Sequence, residues 1–297
     1  MGIYTSQLDK HLQAIEQALP GYLPETSGHA GVVAEAMHYA CAAGGKRLRP
    51  VLVLEWMRLC GGEAEKALPF ACALEMIHSY SLVHDDLPCM DNSPMRRGKP
   101  SAHAAYGETM ALLAGDGLLN RAFEVCLDPM NSSGLKSENI LKATYLLGTA
   151  AGFDGMIGGQ TIDLANEGQR IDEDTLRELH RKKTGALLVA ACQLGAVLAD
   201  ADEAVVTAAE TYGAHLGLCF QIIDDVLDAT ATADQLGKPV GADEINEKTT
   251  YVSLFGLDGA VEMARQETAA ALDALSGFGQ EANDLRALTE ALLTRIV

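Results

Sequence analysis

The stretch that decides the fold of this chain lies between Phe70 and Pro100. It reads FACALEMIHSYSLVHDDLPCMDNSPMRRGKP, an apolar run followed by aspartates and then by basic residues. The run from Phe70 to Val83 is typical of a buried helix, and Pro88 cannot continue a helix without the loss of a hydrogen bond. The sequence therefore predicts a core helix that ends at two aspartates, Asp85 and Asp86.

These aspartates predict a binding site for a divalent metal ion. Asp85, Asp86 and Asp91 lie close together, and the C-terminal end of a helix disfavours negative charge. Carboxylate oxygens suit a hard cation that keeps its waters and shares phosphate oxygens, which describes Mg²⁺. Arg96 and Arg97 follow at once and can bind phosphate through two parallel hydrogen bonds each. A solvated acidic turn followed by a basic turn is the alternative.

A second acidic cluster occurs far along the chain, in an apolar segment that reads FQIIDDVLD from Phe220 to Asp228. Asp224 and Asp228 are four residues apart, so a helix places them on one side, with Asp225 beside them. An amphipathic helix with an acidic face is the alternative. If a helical bundle brings both clusters to one cavity, six carboxylates face each other, and two or three Mg²⁺ ions that bridge a diphosphate would relieve their repulsion.

The rest of the chain predicts an all-α fold. Aromatic residues make up only 5% of the 297 residues, alanine and leucine dominate, and apolar residues recur at helical spacing. We predict one all-α domain over residues 1–297, a helical bundle around a central cavity, with no convincing strand. The predicted helices include Ala102–Cys126, one from Ser137 to a break at Gly158-Gly159, and the pair Glu247–Leu257 and Ala260–Leu275.

Composition excludes several classes of function. The net charge of −19 argues against nucleic acids and anionic membrane surfaces as partners. The longest apolar window, Gly185 to Ala199, is too short to span a membrane, and the first residues do not resemble a signal peptide. The seven cysteines form no C-x-x-C pair, which favours reduced core residues in a cytoplasmic protein.

Eight motifs occur in an order that resembles the short-chain trans-prenyltransferases of the polyprenyl synthetase family, and among them the bacterial farnesyl diphosphate synthases. Besides the two aspartate clusters with their flanking residues, the motifs are Gly44–Pro50 (GGKRLRP), Glu75–Ser81 (EMIHSYS), Gly158–Gln160 with Asp163-Leu164, Lys183–Gly185 (KTG), Leu236–Lys238 with Gly241 and Asp243, and Lys248–Tyr251 (KTTY). Each motif alone is weak, whereas the ordered set is highly specific.

The resemblance implies an isoprenoid-synthase-type bundle and a role for each matching residue. Asp85, Asp91 and Asp224 would bind Mg²⁺, a place that Mn²⁺ can also take, and Asp86, Asp225 and Asp228 would support them. The allylic diphosphate would be held by Arg96, Lys183 and Lys238, with Lys248 nearby. Isopentenyl diphosphate would be held by Lys46, Arg49, His78 and Arg97. Thr184 and Gln221 would face the reacting carbons.

The implied reaction is an ionisation, a condensation and an elimination that needs no protein nucleophile. Metal ions and basic side chains would stabilise the leaving diphosphate, and the allylic cation would alkylate isopentenyl diphosphate. The resemblance also implies a homodimer. Members of the family usually end in a short basic tail over the isopentenyl diphosphate site, whereas this sequence ends Thr294-Arg295-Ile296-Val297.

Two residues before Asp85 bear on product length. Ser81 lies four residues earlier, about 6 Å along a helix and on nearly the same face, and Tyr80 lies one residue further down. A prenyl tail held at the aspartates would run past the small Ser81 towards the bulky Tyr80. The resemblance connects this aromatic residue, and two extra residues in the first cluster, with a C15 product. The alternative is that Tyr80 only packs between helices.

Other products and activities stay open at this point. Geranyl and geranylgeranyl diphosphate are the competing products. A terpene cyclase would usually replace the second cluster with an Asn/Ser/Glu metal motif and would lack Lys46 and Arg49. A non-catalytic partner subunit would be expected to lose aspartates or arginines, and none is missing from the sequence.

Overall fold

The computed structural model describes residues 3–230 and 248–296, and these residues form thirteen α-helices. In chain order they are α1 (Ser6–Tyr22), α2 (Gly31–Cys41), α3 (Leu48–Leu59), α4 (Leu68–Asp85), α5 (Ala102–Tyr106), α6 (Glu108–Leu127), α7 (Ser137–Ala151), α8 (Met156–Ala165), α9 (Glu173–His180), α10 (Ala186–Leu198), α11 (Glu203–Thr230), α12 (Tyr251–Ala274) and α13 (Asn283–Leu293). The predicted all-α class is confirmed.

Shorter elements connect some of these helices. One-turn 3-10 helices lie at Ala64–Ala67 and Gln280–Ala282, and a π-helical turn, Arg181–Gly185, joins α9 to α10. Strands β1 (Met95–Arg96) and β2 (Lys99–Pro100) form an antiparallel hairpin after α4. Neither strand was predicted, because two residues are too few to show the alternation of polar and apolar residues.

Helix α4 lies in the centre of the bundle. It packs against α1, α2, α3, α6 and α10, and every side chain from Pro69 to Ile77 is buried. This environment explains why the sequence of the helix is apolar all round rather than on one stripe. The helix ends at Asp85, as predicted, so the core itself positions the first aspartates.

Glycine residues account for two differences from the predicted helices. Gly107 adopts a φ of 84°, which divides the predicted helix Ala102–Cys126 into α5 and α6. The backbone of Gly256 is non-helical, with a φ of 72°, so a kink divides α12 into two helical segments. The predicted pair Glu247–Leu257 and Ala260–Leu275 is therefore present, with the break at Gly256 rather than after Leu257. Glu247 lies outside the described residues.

The region around Gly158-Gly159 also differs from the prediction. The helix that starts at Ser137 ends at Ala151, and α8 starts at Met156. Both glycines are buried inside α8 and do not break it. Within the part of the chain that the structure describes, no helix is long and apolar enough to cross a membrane.

Candidate active site

The first aspartate cluster divides into an inward and an outward part. Asp86 is only 2% exposed and forms a fork with Arg96, with Nη2 to Oδ1 at 2.6 Å and Nε to Oδ2 at 3.0 Å. Asp85 instead lines a cavity, and Asp91 is exposed with its backbone N–H bonded to the Asp85 carbonyl at 2.9 Å. Asp85 and Asp91 are therefore the two carboxylates of this cluster placed to bind a ligand.

Burial raises the pKa of Asp85 to about 6, and the nearby charge of Asp91 acts in the same direction. The positive charge of Lys183 opposes this shift. The carboxylate of Asp85 is thus held at a position where its negative charge is costly, and a cation beside it would remove the cost.

The second aspartate cluster lies near the C-terminal end of α11. Asp224 and Asp225 line a cavity of about 210 Å³ that also contains Asp163, Lys183 and Lys248, which we call the aspartate cavity. The Asp225 carboxylate accepts a hydrogen bond of 2.8 Å from the first backbone N–H of α12, at Tyr251. Asp224 lies 3.5 Å from the Arg295 guanidinium, and Asp228 is buried.

Asp163 connects the two basic residues of the aspartate cavity. Its Oδ2 lies 2.5 Å from Lys183 Nζ and 3.8 Å from Lys248 Nζ. Burial works against its charge, but these two lysines hold the pKa of Asp163 below its ordinary value. No role was predicted for Asp163, although its position three residues after Gln160, on the same face of α8, was a signal.

The π-helical turn presents the side chains of Lys183 and Thr184 in different directions. Lys183 lines the aspartate cavity, and Thr184 donates a hydrogen bond of 3.1 Å to the Gln221 side chain on α11. The wide turn is a local departure from α-helical geometry of the kind that is frequent at functional sites. Thr184 and Gln221 therefore meet, as their predicted shared role requires.

A second cavity, of about 470 Å³, contains the basic residues of the predicted isopentenyl diphosphate site. We call it the basic cavity, and Lys46, Arg49, His78 and Arg97 all line it. Lys46 Nζ lies 5.6 Å from the ring centroid of Phe220. Burial, and then the charges of Arg49 and Arg97, lower the pKa of His78 well below its ordinary value.

The basic cavity has the properties of an anion site. Burial lowers the pKa of both Lys46 and Arg49, and Arg49 Nε has no hydrogen-bond partner within residues 3–230 and 248–296. Several positive groups therefore face one space, and at least one buried donor among them is unsatisfied. Because an unsatisfied buried donor is costly, an anionic ligand here would gain well-placed hydrogen bonds.

A third cavity, of about 360 Å³, extends from Asp85 between α4 and α8. We call it the apolar cavity. Tyr80, Ser81 and Leu82 form its α4 side, and Met156, Ile157 and Leu164 are among the α8 residues opposite. The Tyr80 ring is 5% exposed and lies edge-on to the ring of His84, with centroids 5.7 Å apart.

The three cavities share walls. Lys183 lines both the apolar and the aspartate cavity, and Gln221 lines both the aspartate and the basic cavity. His78, Arg49 and Thr184 line both the apolar and the basic cavity. An apolar chain, a metal-binding group and a separate anion could therefore all meet near Lys183 and Thr184.

Comparison with known proteins assigns the family. A family model described as Polyprenyl synthetase matches residues 31–292. The chain belongs to the polyprenyl synthetase family. It is 44% identical over 255 residues to the farnesyl diphosphate synthase of Geobacillus stearothermophilus, which covers 86% of this chain and 85% of that protein. It is 41% identical over 284 residues to the geranylgeranyl diphosphate synthase of Cyanophora paradoxa, with 95% and 93% covered.

Solved structures agree with this assignment. A crystal structure of an FPP/GFPP synthase from Zymomonas mobilis superposes with a TM-score of 0.86 at 36% identity, and the match covers 96% of this chain and 97% of that one. The predicted isoprenoid-synthase-type bundle is confirmed. This polyprenyl synthetase is an enzyme, a trans-prenyltransferase.

The aspartates of this polyprenyl synthetase fit a metal that also binds its substrate. Among the described residues, no three carboxylate, imidazole or thiol groups converge as a preformed metal centre. Mg²⁺ needs no such cage, because it keeps several waters and binds through one or two carboxylates together with phosphate oxygens. Such partial sets of carboxylate ligands are present in both clusters. The first cluster offers Asp85 and Asp91, and the second offers Asp224.

Most of the predicted site residues are thus brought together around the three cavities of the synthetase. Arg96 differs from the other predicted basic ligands, because its Nε and Nη2 atoms already donate hydrogen bonds to the Asp86 carboxylate. Asp225 lines the aspartate cavity and accepts a hydrogen bond from the Tyr251 backbone, and Asp228 is buried. Lys238 lies outside the described residues.

Proposed function

We propose that this trans-prenyltransferase condenses isopentenyl diphosphate with dimethylallyl and geranyl diphosphate to give (2E,6E)-farnesyl diphosphate, with Mg²⁺ as cofactor. The observation that carries the proposal is the apolar cavity that starts at Asp85 and is lined by Ser81 and then by Tyr80. The similarity to farnesyl diphosphate synthases at 44% and 42% identity supports it. A homodimer remains an expectation from the family resemblance.

The allylic diphosphate would bind between the two aspartate clusters, with its tail in the apolar cavity. Lys183 lies at the junction of these spaces and would hold the diphosphate oxygens together with Lys248, which lines the aspartate cavity. Arg96 would contribute from beside Asp85, whose pKa its positive charge acts to lower. Mg²⁺, when bound, would neutralise the diphosphate and stabilise it as the C–O bond breaks. The apolar walls would exclude water from the allylic cation.

Isopentenyl diphosphate would bind in the basic cavity, where Lys46, Arg49, His78 and Arg97 would hold its diphosphate. Once the C–O bond to the allylic diphosphate has broken, the double bond of isopentenyl diphosphate would attack the allylic cation, so that the new C–C bond forms and the positive charge moves to the condensed product. A proton is lost from the condensed product, and the released diphosphate is a base within reach. Thr184 and Gln221, which lie at the junction of the cavities, would orient the reacting groups.

One assay tests the proposal. The purified protein is incubated with labelled isopentenyl diphosphate and, in separate reactions, dimethylallyl, geranyl or farnesyl diphosphate, with Mg²⁺ or with a chelator. We expect a C15 product from the first two primers, little extension of the third, and no turnover with the chelator. A main product of C20 would assign the chain to the geranylgeranyl diphosphate synthases, which it resembles at 41% identity.

Replacement of the residues along the apolar cavity is expected to change product length. Ser81→Phe should raise the floor of the cavity and shift the main product towards C10, because the aromatic ring would occupy space beside α4 near Asp85. Tyr80→Ala should lower the floor and yield C20 or longer chains. Chromatography of the dephosphorylated products measures both effects. If both variants still gave only C15, the floor would have to be formed by other residues.

The two adjacent arginines of the hairpin are expected to serve different substrates. Arg97 lines the basic cavity, whereas Arg96 faces Asp86 in the first aspartate cluster. Because a charged hydrogen bond contributes about 1.5–3 kcal/mol, Arg97→Ala should raise the KM for isopentenyl diphosphate about ten- to hundred-fold. Arg96→Ala should weaken the allylic substrate more. Equal effects of each variant on both substrates would show that the two arginines share one site.

A further inference from the structure

Arg47 lies between the two predicted ligands Lys46 and Arg49 and also lines the basic cavity, but its guanidinium is bound by groups of the protein. It is only 4% exposed, and its backbone adopts the left-handed region with a φ of 50°. A non-glycine residue in this region is uncommon and indicates that its surroundings hold it there. The family resemblance assigns ligand roles to Lys46 and Arg49 and no role to Arg47.

All three guanidinium nitrogens of Arg47 are bound by groups of the protein. Nη1 lies 2.5 Å from the buried Glu75 carboxylate on α4, and Nε lies 2.7 Å from Glu16 on α1. Nη2 donates to the Cys41 carbonyl at the end of α2 at 2.5 Å. One side chain therefore connects the start of α3 to three other helices, which we call the Arg47 clamp.

The segment around Arg47 is fixed from two further directions. The Tyr4 hydroxyl donates to the Lys46 carbonyl, and the Arg97 guanidinium donates to the Gly44 carbonyl. Glu75 is also three residues before His78 on α4, so the same helix face supplies the clamp partner and a wall of the basic cavity.

We propose that Arg47 and Glu75 are positioning residues for isopentenyl diphosphate. The clamp fixes the left-handed turn at Arg47, and this turn directs Lys46 and Arg49 into one cavity beside His78. Without the clamp, the two cationic side chains would keep their charge but lose their fixed separation. A shift of about 1 Å in a substrate-binding group can lower reaction efficiency as much as a hundredfold. The inference rests on the proposed function of the basic cavity.

The test uses variants that keep the fold. Arg47→Met alone would leave the Glu75 carboxylate buried without a partner, so the double variant Arg47→Met/Glu75→Gln removes both charges together. We expect its KM for isopentenyl diphosphate to rise about tenfold, while the KM for geranyl diphosphate and kcat at saturation change by less than about twofold. Arg47→Gly/Glu75→Gln, in which glycine adopts the left-handed turn without strain and no buried charge is left unpaired, should show the same rise, because the clamp side chain is absent.

The matched control is Glu55→Gln. Glu55 is a fully buried carboxylate on α3, held by His11 at 3.1 Å and Arg58 at 2.6 Å, and it lines none of the three cavities. The variant Glu55→Gln should lower the melting temperature but leave the KM for isopentenyl diphosphate unchanged. A clamp variant with wild-type KM, or with equal rises in both KM values, would overturn the proposal. Absence of turnover in the wild type would instead overturn the proposed function.

A milder variant covers the case in which the double variant does not fold. Glu16 is 47% exposed, so Glu16→Gln removes one contact of the clamp without leaving a deeply buried charge. We expect a rise of about two- to threefold in the KM for isopentenyl diphosphate alone, because Glu75 and the Cys41 carbonyl still hold the guanidinium. An unchanged KM for isopentenyl diphosphate in Glu16→Gln would overturn the positioning role.

Discussion

Replacement of Asp85 or Asp224 with alanine is expected to lower kcat about a thousandfold or more while the fold persists. Each residue is a carboxylate at the wall of a cavity, on opposite sides of Lys183. If these carboxylates hold Mg²⁺ against the allylic diphosphate, the loss of either one removes charge stabilisation of the leaving group. Initial rates over a wide range of Mg²⁺ concentrations measure the effect, with circular dichroism to confirm the fold.

Thermal stability separates this role from a structural one. The raised pKa of Asp85 indicates that its charge is costly in the metal-free protein, so Asp85→Ala should leave the melting temperature unchanged or raise it. Asp116→Ala, at an exposed position on α6, is the control and should change neither kcat nor the melting temperature. Near-normal activity of either cluster variant at saturating Mg²⁺ would contradict the metal assignment.

The aspartate clusters and the core helix could be predicted because their signals are local. The run from Phe70 to Val83 is apolar on every side, and a helix that is apolar all round must be buried. Asp224 and Asp228 share a face through helical spacing alone. The ordered motifs then pointed to the family, since each of them can be read without knowledge of which helices touch.

The ion pairs that organise the site could not be predicted in the same way. Arg47 and Glu75 are 28 residues apart, and the partner of Lys183 lies 20 residues earlier on α8. Sequence spacing says nothing about contacts between helices, so neither the pair of Arg47 with Glu75 nor the pair of Asp86 with Arg96 could be predicted from it. Only the packing of α1, α2 and α4 around the start of α3 turns Arg47 inwards.

Gly158 and Gly159 show that paired glycines can mark either the end of a helix or a close contact between two segments. Paired glycines often end a helix, so the sequence predicted a break. In the structure they lie inside α8, where the π-helical turn approaches closely. A methyl group built on Gly159 would lie 2.5 Å from Lys183 Cα and even closer to the Lys183 amide nitrogen. The glycine is required by this contact and not by its own backbone angles.

Gly159→Ala is therefore expected to lower both activity and stability. In an open helix this change would stabilise by about 0.5–1 kcal/mol through the lower entropy cost of alanine. Here the methyl group would meet the backbone of Lys183, which cannot rotate away, and such overpacking costs about 1–3 kcal/mol. The shift of the turn would also displace Lys183 and Thr184, so kcat should fall about a hundredfold.

Gly195→Ala is the matched control for this prediction. Its added methyl group would lie 2.6 Å from Trp56 Cβ and 2.7 Å from the Met57 amide nitrogen, where α10 packs on α3 away from the three cavities. Both variants should shift the urea midpoint of unfolding to lower concentration, whereas only Gly159→Ala should lose turnover in steady-state assays at a temperature where both are folded. If Gly159→Ala kept wild-type kcat, or if Gly195→Ala lost as much, the close contact between α8 and the π-helical turn would not be what positions Lys183.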